Sequence, residues 1–136
     1  MATRILKQSN NFIPFERKEK SAAESLKDGI AGKEAFCRGE YQMALVKYNM
    51  ALMRAPPNSE AMRLSYYSRA ELALKMKQFQ ACVKDVETCL ALDCPDSMVK
   101  KLREMKEEAS RFIWIEQLAR AQTSNQFSEE FFRLKG

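Results

Sequence analysis

The chain contains no histidine, which removes at once the commonest general base and the commonest zinc ligand. Glycine and proline are scarce, at four each among 136 residues, so few points along the chain are forced to break a helix. No apolar run approaches the roughly 20 residues that a membrane-crossing helix requires, and the N-terminus has no apolar signal-peptide core. The four cysteines, Cys37, Cys82, Cys89 and Cys94, form no C-x-x-C pair and lie within helical patterns, so they read as reduced and mostly buried instead of as a disulfide framework or a metal site. Charge of one sign is also missing: the net value is only +5. Basic residues alternate with acidic ones except around Lys18, Lys20 and the group Lys100, Lys101 and Arg103, so no nucleic-acid footprint is expected.

What remains is a composition made for soluble helix: 46% hydrophobic and 30% charged residues, rich in Ala, Leu, Met, Lys and Glu, without strand alternation of useful length. The length suits one domain. Residues 1–20 form a basic leader with an apolar island at Phe12, Ile13 and Phe15, interrupted by Pro14. Two readings of the island stay open, docking on the helices that follow or a short linear motif for a partner.

From Ser21 to Arg38 a helix is expected, with Ser21 as N-cap, Glu24 completing a capping box, and Leu26, Ile30, Ala35 and Phe36 on its buried side. Gly39 breaks it. A second helix, Glu40 to Arg54, places Tyr41, Ala44, Leu45, Tyr48, Ala51 and Leu52 at the spacing of one buried stripe, and Pro56-Pro57 closes it. Gly29 and Gly32 weaken the first helix by about 1 kcal/mol each relative to Ala. Close approach of the second helix supplies a reason for Gly32.

This hairpin recurs at an offset of 38 residues: Gly32 is matched by Ala70, Tyr41 by Phe79, Ala44 by Cys82, Tyr48 by Val86, Ala51 by Cys89, Leu52 by Leu90, and Pro56-Pro57 by Cys94-Pro95. Recurrence at this period marks a solenoid of helix-turn-helix units, and it puts Cys82 and Cys89 in the small packing slots that alanine fills in the first copy. From Ser97 to about Ala121 a long helix with Met98, Leu102, Met105, Ala109, Phe112 and Ile113 on one side is expected to cap the open end of the second unit. The expected organisation is therefore a leader at 1–20, two repeats at 21–95, a capping helix at 96–121, a polar turn, and an apolar tail at 122–136 carrying Phe127, Phe131, Phe132 and Leu134. That tail either folds back on the cap or belongs to a surface that another segment covers.

The residues Gly32, Gly39, Tyr41, Ala44, Tyr48, Ala51 and Pro56, in one register, resemble a tetratricopeptide repeat (TPR). The second unit resembles it less fully, with Lys77 at the turn glycine and Val86 at the aromatic. The stretches S-R-A-E-L-A-L-K-M-K-Q-F-Q-A-C-V-K-D-V and C-L-A-L-D-C-P are similar to the N-terminal TPR segment of SET- and MYND-domain lysine methyltransferase-like proteins. The resemblance implies an all-α fold of TPR-like hairpins and a non-catalytic protein-interaction module, cytoplasmic with nuclear access open. It would bind a peptide or helix of a partner, such as an acidic segment, in a concave groove, without cofactor or metal.

Many TPR proteins hold the C-terminal carboxylate of the heat-shock chaperones Hsp70 and Hsp90 in a clamp of two lysines, two asparagines and an arginine. By register those positions fall on Gly29, Lys33, Ser68, Lys101 and Met105, of which only Lys101 keeps its type. The clamp is thus poorly matched, and the same five residues stand as the expected groove lining. The narrower resemblance implies a further alternative, a regulatory arm or short relative of a methyltransferase-like protein.

Overall fold

A computed structural model describes residues 20–135, with side chains through Ser124. The leader's Phe12, Ile13 and Phe15 and the tail's Phe127, Phe131, Phe132 and Leu134 lie outside the described residues and side chains. The described chain is five helices: α1 (Ala22–Cys37), α2 (Tyr41–Arg54), α3 (Glu60–Lys75), α4 (Phe79–Leu90) and α5 (Asp96–Lys135). They form two TPR-like hairpins, α1–α2 and α3–α4, followed by a long helix that caps the second. No strand is present among the described residues.

Each helix starts where its sequence allows. The Ser21 hydroxyl accepts from the Glu24 amide at 3.2 Å, and that of Ser59 accepts from Met62 at 3.1 Å, so orphan amides of α1 and α3 are satisfied. The capping box at Ser21 is only half made, because the Ser21 amide donates to the Arg54 carbonyl at 2.9 Å and ties the start of α1 to the end of α2. Gly39 turns between α1 and α2 at φ +80°, a left-handed conformation costly for any residue with a Cβ. At the same place in the second hairpin, Lys77 adopts φ +62°.

In the first hairpin the Tyr48 ring of α2 lies so close to α1 that the facing side of α1 has no room for large side chains. A Cβ on Gly32 would stand 2.5 Å from Cε1 of Tyr48, and the buried face of α1 is Ser25, Asp28, Gly32 and Ala35. This corrects the expectation for Leu26 and Ile30, which are 42% and 62% exposed. Small and polar residues took their place, with the Ser25 hydroxyl donating to the Ala51 carbonyl at 2.6 Å and Arg54 pairing with Asp28 at 3.0 Å. Gly29 has nothing within 4 Å of a would-be Cβ, and the structure gives no packing reason for it.

The second hairpin repeats the scheme with a larger core. Ala70, Ala73, Phe79, Cys82, Val86 and Cys89 pack with Leu102, Met105 and Ala109 of α5, so α5 completes a cluster that the two repeats alone would leave open. Leu72 closes the first cluster against Ala35, Ala44 and Tyr48 and so joins the repeats. Arg69 supports the same joint: its guanidinium donates to both carboxylate oxygens of Asp85, at 2.7 and 2.8 Å, and to the Asn49 side chain at 3.1 Å. One planar fork thus links α3 to α4 and back to α2. Arg69, Cys82 and Asp85 belong to the stretch that carried the narrower family resemblance, and their role here is packing and pairing.

The expected turn after Ala121 is absent, since α5 runs unbroken to Lys135. Polar residues between Ala121 and Ser128 are not helix breakers, and no glycine or proline intervenes. Beyond Ile113 every described side chain of α5 is exposed, so the helix leaves the body there.

Candidate functional site

Alternation of first and second helices puts α1, α3 and α5 side by side: α1 contacts α3, and α3 contacts α5, while α2 and α4 sit behind them. The layer formed by α1, α3 and α5 is the candidate binding face. At its centre Lys33 of α1 reaches Glu71 of α3, Nζ to Oε1 at 3.2 Å, with its ammonium 4.9 Å from the centre of the Phe36 ring. Both partners are exposed enough that the pair contributes at most about 1 kcal/mol. Tyr67 lies beside them on α3. Burial, chiefly, raises its phenol pKa, with the Glu71 and Glu104 charges acting in the same direction and Lys33 opposing, so groups from all three helices converge on it.

Toward the C-terminal ends of α1 and α3 the face opens into a cavity of about 550 Å³. Its apolar walls are Phe36, Leu74, Phe79 and Phe112, and its rim carries Glu71, Lys75, Lys77, Glu108 and Glu116. Phe79 and Phe112 stack at 4.8 Å with their planes 11° apart, which fixes α4 against α5 and leaves Phe112 41% exposed toward the opening. A mostly apolar hollow with a charged rim suits a side chain of a peptide or helix better than a small polar substrate.

Placement of the five expected groove residues is uneven. Lys33 is on the face, already paired with Glu71. Lys101 is exposed on α5 with no ion-pair partner among the described residues. Ser68 is half-buried on α3, and Gly29, half-buried on α1, offers open space instead of a donor. Met105 is buried in the core with Ala70, Cys82 and Leu102 and serves the fold there. The cavity walls, not this set, form the best-defined recess. Phe36 and Leu74 close α1 and α3, Phe79 opens α4 and Phe112 lies within α5, so their convergence depends on how the helices pack, which no local spacing records.

Among the described residues no group of three side chains could hold a metal ion, and no helix is long and apolar enough to cross a membrane. Cys82 and Cys89 are fully buried, and burial pushes their thiols up to about 11 and about 12. Cys37, expected to be inside like the others, is exposed.

The chain is similar to Stress-induced-phosphoprotein 1 of Caenorhabditis elegans, 37% identical over 62 residues that make up 46% of this chain and 18% of the relative. It is also similar to Small glutamine-rich tetratricopeptide repeat-containing protein 2 of Saccharomyces cerevisiae, 30% identical over 61% of this chain and 22% of the relative. A third relative, Protein-lysine N-methyltransferase SMYD4 of Mus musculus, is 29% identical over 57% of this chain and 10% of its own length. No family model and no solved structure matches. The chain therefore resembles TPR proteins in sequence as it does in fold, together with a methyltransferase of the kind the second hairpin suggested. It spans less than a quarter of the length of each of these relatives.

Proposed function

We propose that this chain is a non-catalytic protein-interaction module that holds a segment of a partner protein across the face of α1, α3 and α5. The observation that carries this reading is the apolar cavity between Phe36, Leu74, Phe79 and Phe112, open to solvent and rimmed by Glu71, which pairs with Lys33 and lies beside Tyr67. A helical or extended segment fits by seating one apolar side chain in the cavity. An acidic residue of the same segment would meet Lys101 directly, and Lys33 after Glu71 is displaced. The setting consistent with this role is the cytoplasm, with nuclear access open. Retrieval of a binding protein by the immobilised chain, lost on replacing Lys33 and Lys101 together by Glu and on Phe112→Ala, supports the assignment. Retention of every bound protein by both variants rejects it.

A second reading is favoured by the likeness to tetratricopeptide repeat proteins and by Lys101, the one clamp residue kept: a C-terminal carboxylate tail ending Glu-Glu-Val-Asp would bind the same face. Titration with that peptide decides. Absence of binding tighter than about 1 mM, roughly 4 kcal/mol, removes this reading and leaves the first intact. The similarity to a lysine methyltransferase supports a third role, as the interaction arm of such an enzyme. A coding frame that runs past Gly136 into a Cys-rich finger and a SET region would establish it, and a stop codon there would dismiss it.

A further inference from the structure

Cys89, in the last turn of α4, and Cys94, in the connection to α5, hold their sulfurs 3.8 Å apart. Neither is needed where it is for a hydrogen-bond network beyond this corner. The Cys89 thiol points at the Arg63 carbonyl at 3.5 Å, and the Cys94 thiol donates to the Cys89 carbonyl at 3.1 Å. Cys94 is half-buried and reachable from solvent, whereas Cys89 is fully buried beneath it. The connection from Leu92 to Pro95 is non-helical and can take up the small shift that brings the sulfurs to a bonding distance of about 2.05 Å. Cys82, buried at the small slot two turns earlier on α4, has no such sulfur partner, and Cys37 is exposed on α1.

We propose that Cys89 and Cys94 are a dithiol site that a peroxide converts to an intramolecular disulfide. Cys94 is attacked first, being the accessible one: its sulfur bonds to one peroxide oxygen, the O–O bond breaks, and the other oxygen leaves as water, or as alcohol from an organic peroxide, carrying the thiol proton. Cys94 is then a sulfenic acid, oxidised by two electrons. The Cys89 sulfur next bonds to the Cys94 sulfur, the S–O bond breaks, and hydroxide leaves with the Cys89 proton as a second water. Burial first, and then the Cys94 charge, push the Cys89 thiol up to about 12, so the second step depends on proximity, helped by the Arg63 guanidinium that opposes this shift. The bond would staple the end of α4 to the entry of α5, the helix that carries Phe112 into the cavity.

Trypsin tests this directly, because cleavage after Lys84 and Lys100 leaves both cysteines in one peptide, 85–100. The folded chain is treated with hydrogen peroxide, acid-quenched, alkylated and digested. The expected peptide is lighter by two hydrogens and unalkylated, is restored to two alkylatable thiols by dithiothreitol, and retains no such link in Cys94→Ser. Three results overturn the proposal: a peptide 85–100 in which both thiols still alkylate, a Cys94 sulfenic acid that accumulates and is trapped by dimedone without progressing, or a sole disulfide joining Cys37 of two chains.

Discussion

Gly32 and Tyr48 compete for the same space: a Cβ on the glycine would meet the tyrosine ring at 2.5 Å, and at the 38-residue offset the pair becomes Ala70 and Val86, a larger residue against a smaller one. Volume is shared between the two helices of each hairpin, so changing one member alone strains the joint. Gly32→Ala should destabilise the fold by about 2 kcal/mol, read as a lower denaturant midpoint, even though alanine is the better helix former. Combining it with Tyr48→Val should recover most of that loss. Tyr48 carries a second cost, since its hydroxyl is buried without a hydrogen-bond partner and burial, chiefly, pushes its pKa up to about 12. Tyr48→Phe should therefore be neutral or stabilising by about 1 kcal/mol at neutral pH. The sign in alkali follows from the raised value. The folded state holds the phenol proton more tightly, so this contribution is complete below pH 10 and is lost as pH rises through about 12. Denaturation followed across that window should show a shallower fall in stability for Tyr48→Phe than for the parent chain, the residual slope belonging to Tyr67, Cys82 and Cys89.

Among the elements, the turns separate what residue type reveals from what packing imposes. Gly39 marks its left-handed turn openly, but Lys77 takes the same conformation at φ +62° with nothing in its side chain to advertise it. Only the 38-residue register pointed there. Lys77→Gly should stabilise the chain by about 1 kcal/mol, seen as a raised melting temperature, because the left-handed penalty of a Cβ is removed. The hairpins, the N-cap at Ser21 and the buried alanine and cysteine slots were legible because they follow from local spacing and capping chemistry. The exposure of Leu26 and Ile30 was not, since periodicity reports a face without reporting how closely a partner approaches it. The end of α5 was misplaced for a related reason: polarity at residues 121–128 removes a reason for burial but not the ability to be helical.

For the whole molecule, the two hairpins do not close a core by themselves. Leu102, Met105 and Ala109 of α5 cover Ala70, Cys82 and Val86, all within one cluster, so a chain ending at Pro95 should lose cooperative unfolding of its second hairpin, whereas one ending at Ser124 should keep it; thermal circular dichroism of the two distinguishes them. The same helix supplies Phe112 and Glu108 to the cavity, so the element that finishes the fold also finishes the candidate binding face. Family register pointed to Lys33 and Lys101 for that candidate face, while Phe36, Leu74, Phe79 and Phe112 come together only through the packing of the helices. The most direct measurement selects peptides on the folded chain from a random displayed library and maps the best binder by amide chemical-shift changes. Shifts concentrated at Lys33, Phe36, Tyr67, Leu74, Lys101 and Phe112, with at least a tenfold weaker Kd for Phe112→Ala, are the expected result. Shifts confined to the outer surfaces of α2 and α4, or binding unaffected by Phe112→Ala, would contradict the assignment of function to the α1, α3 and α5 face.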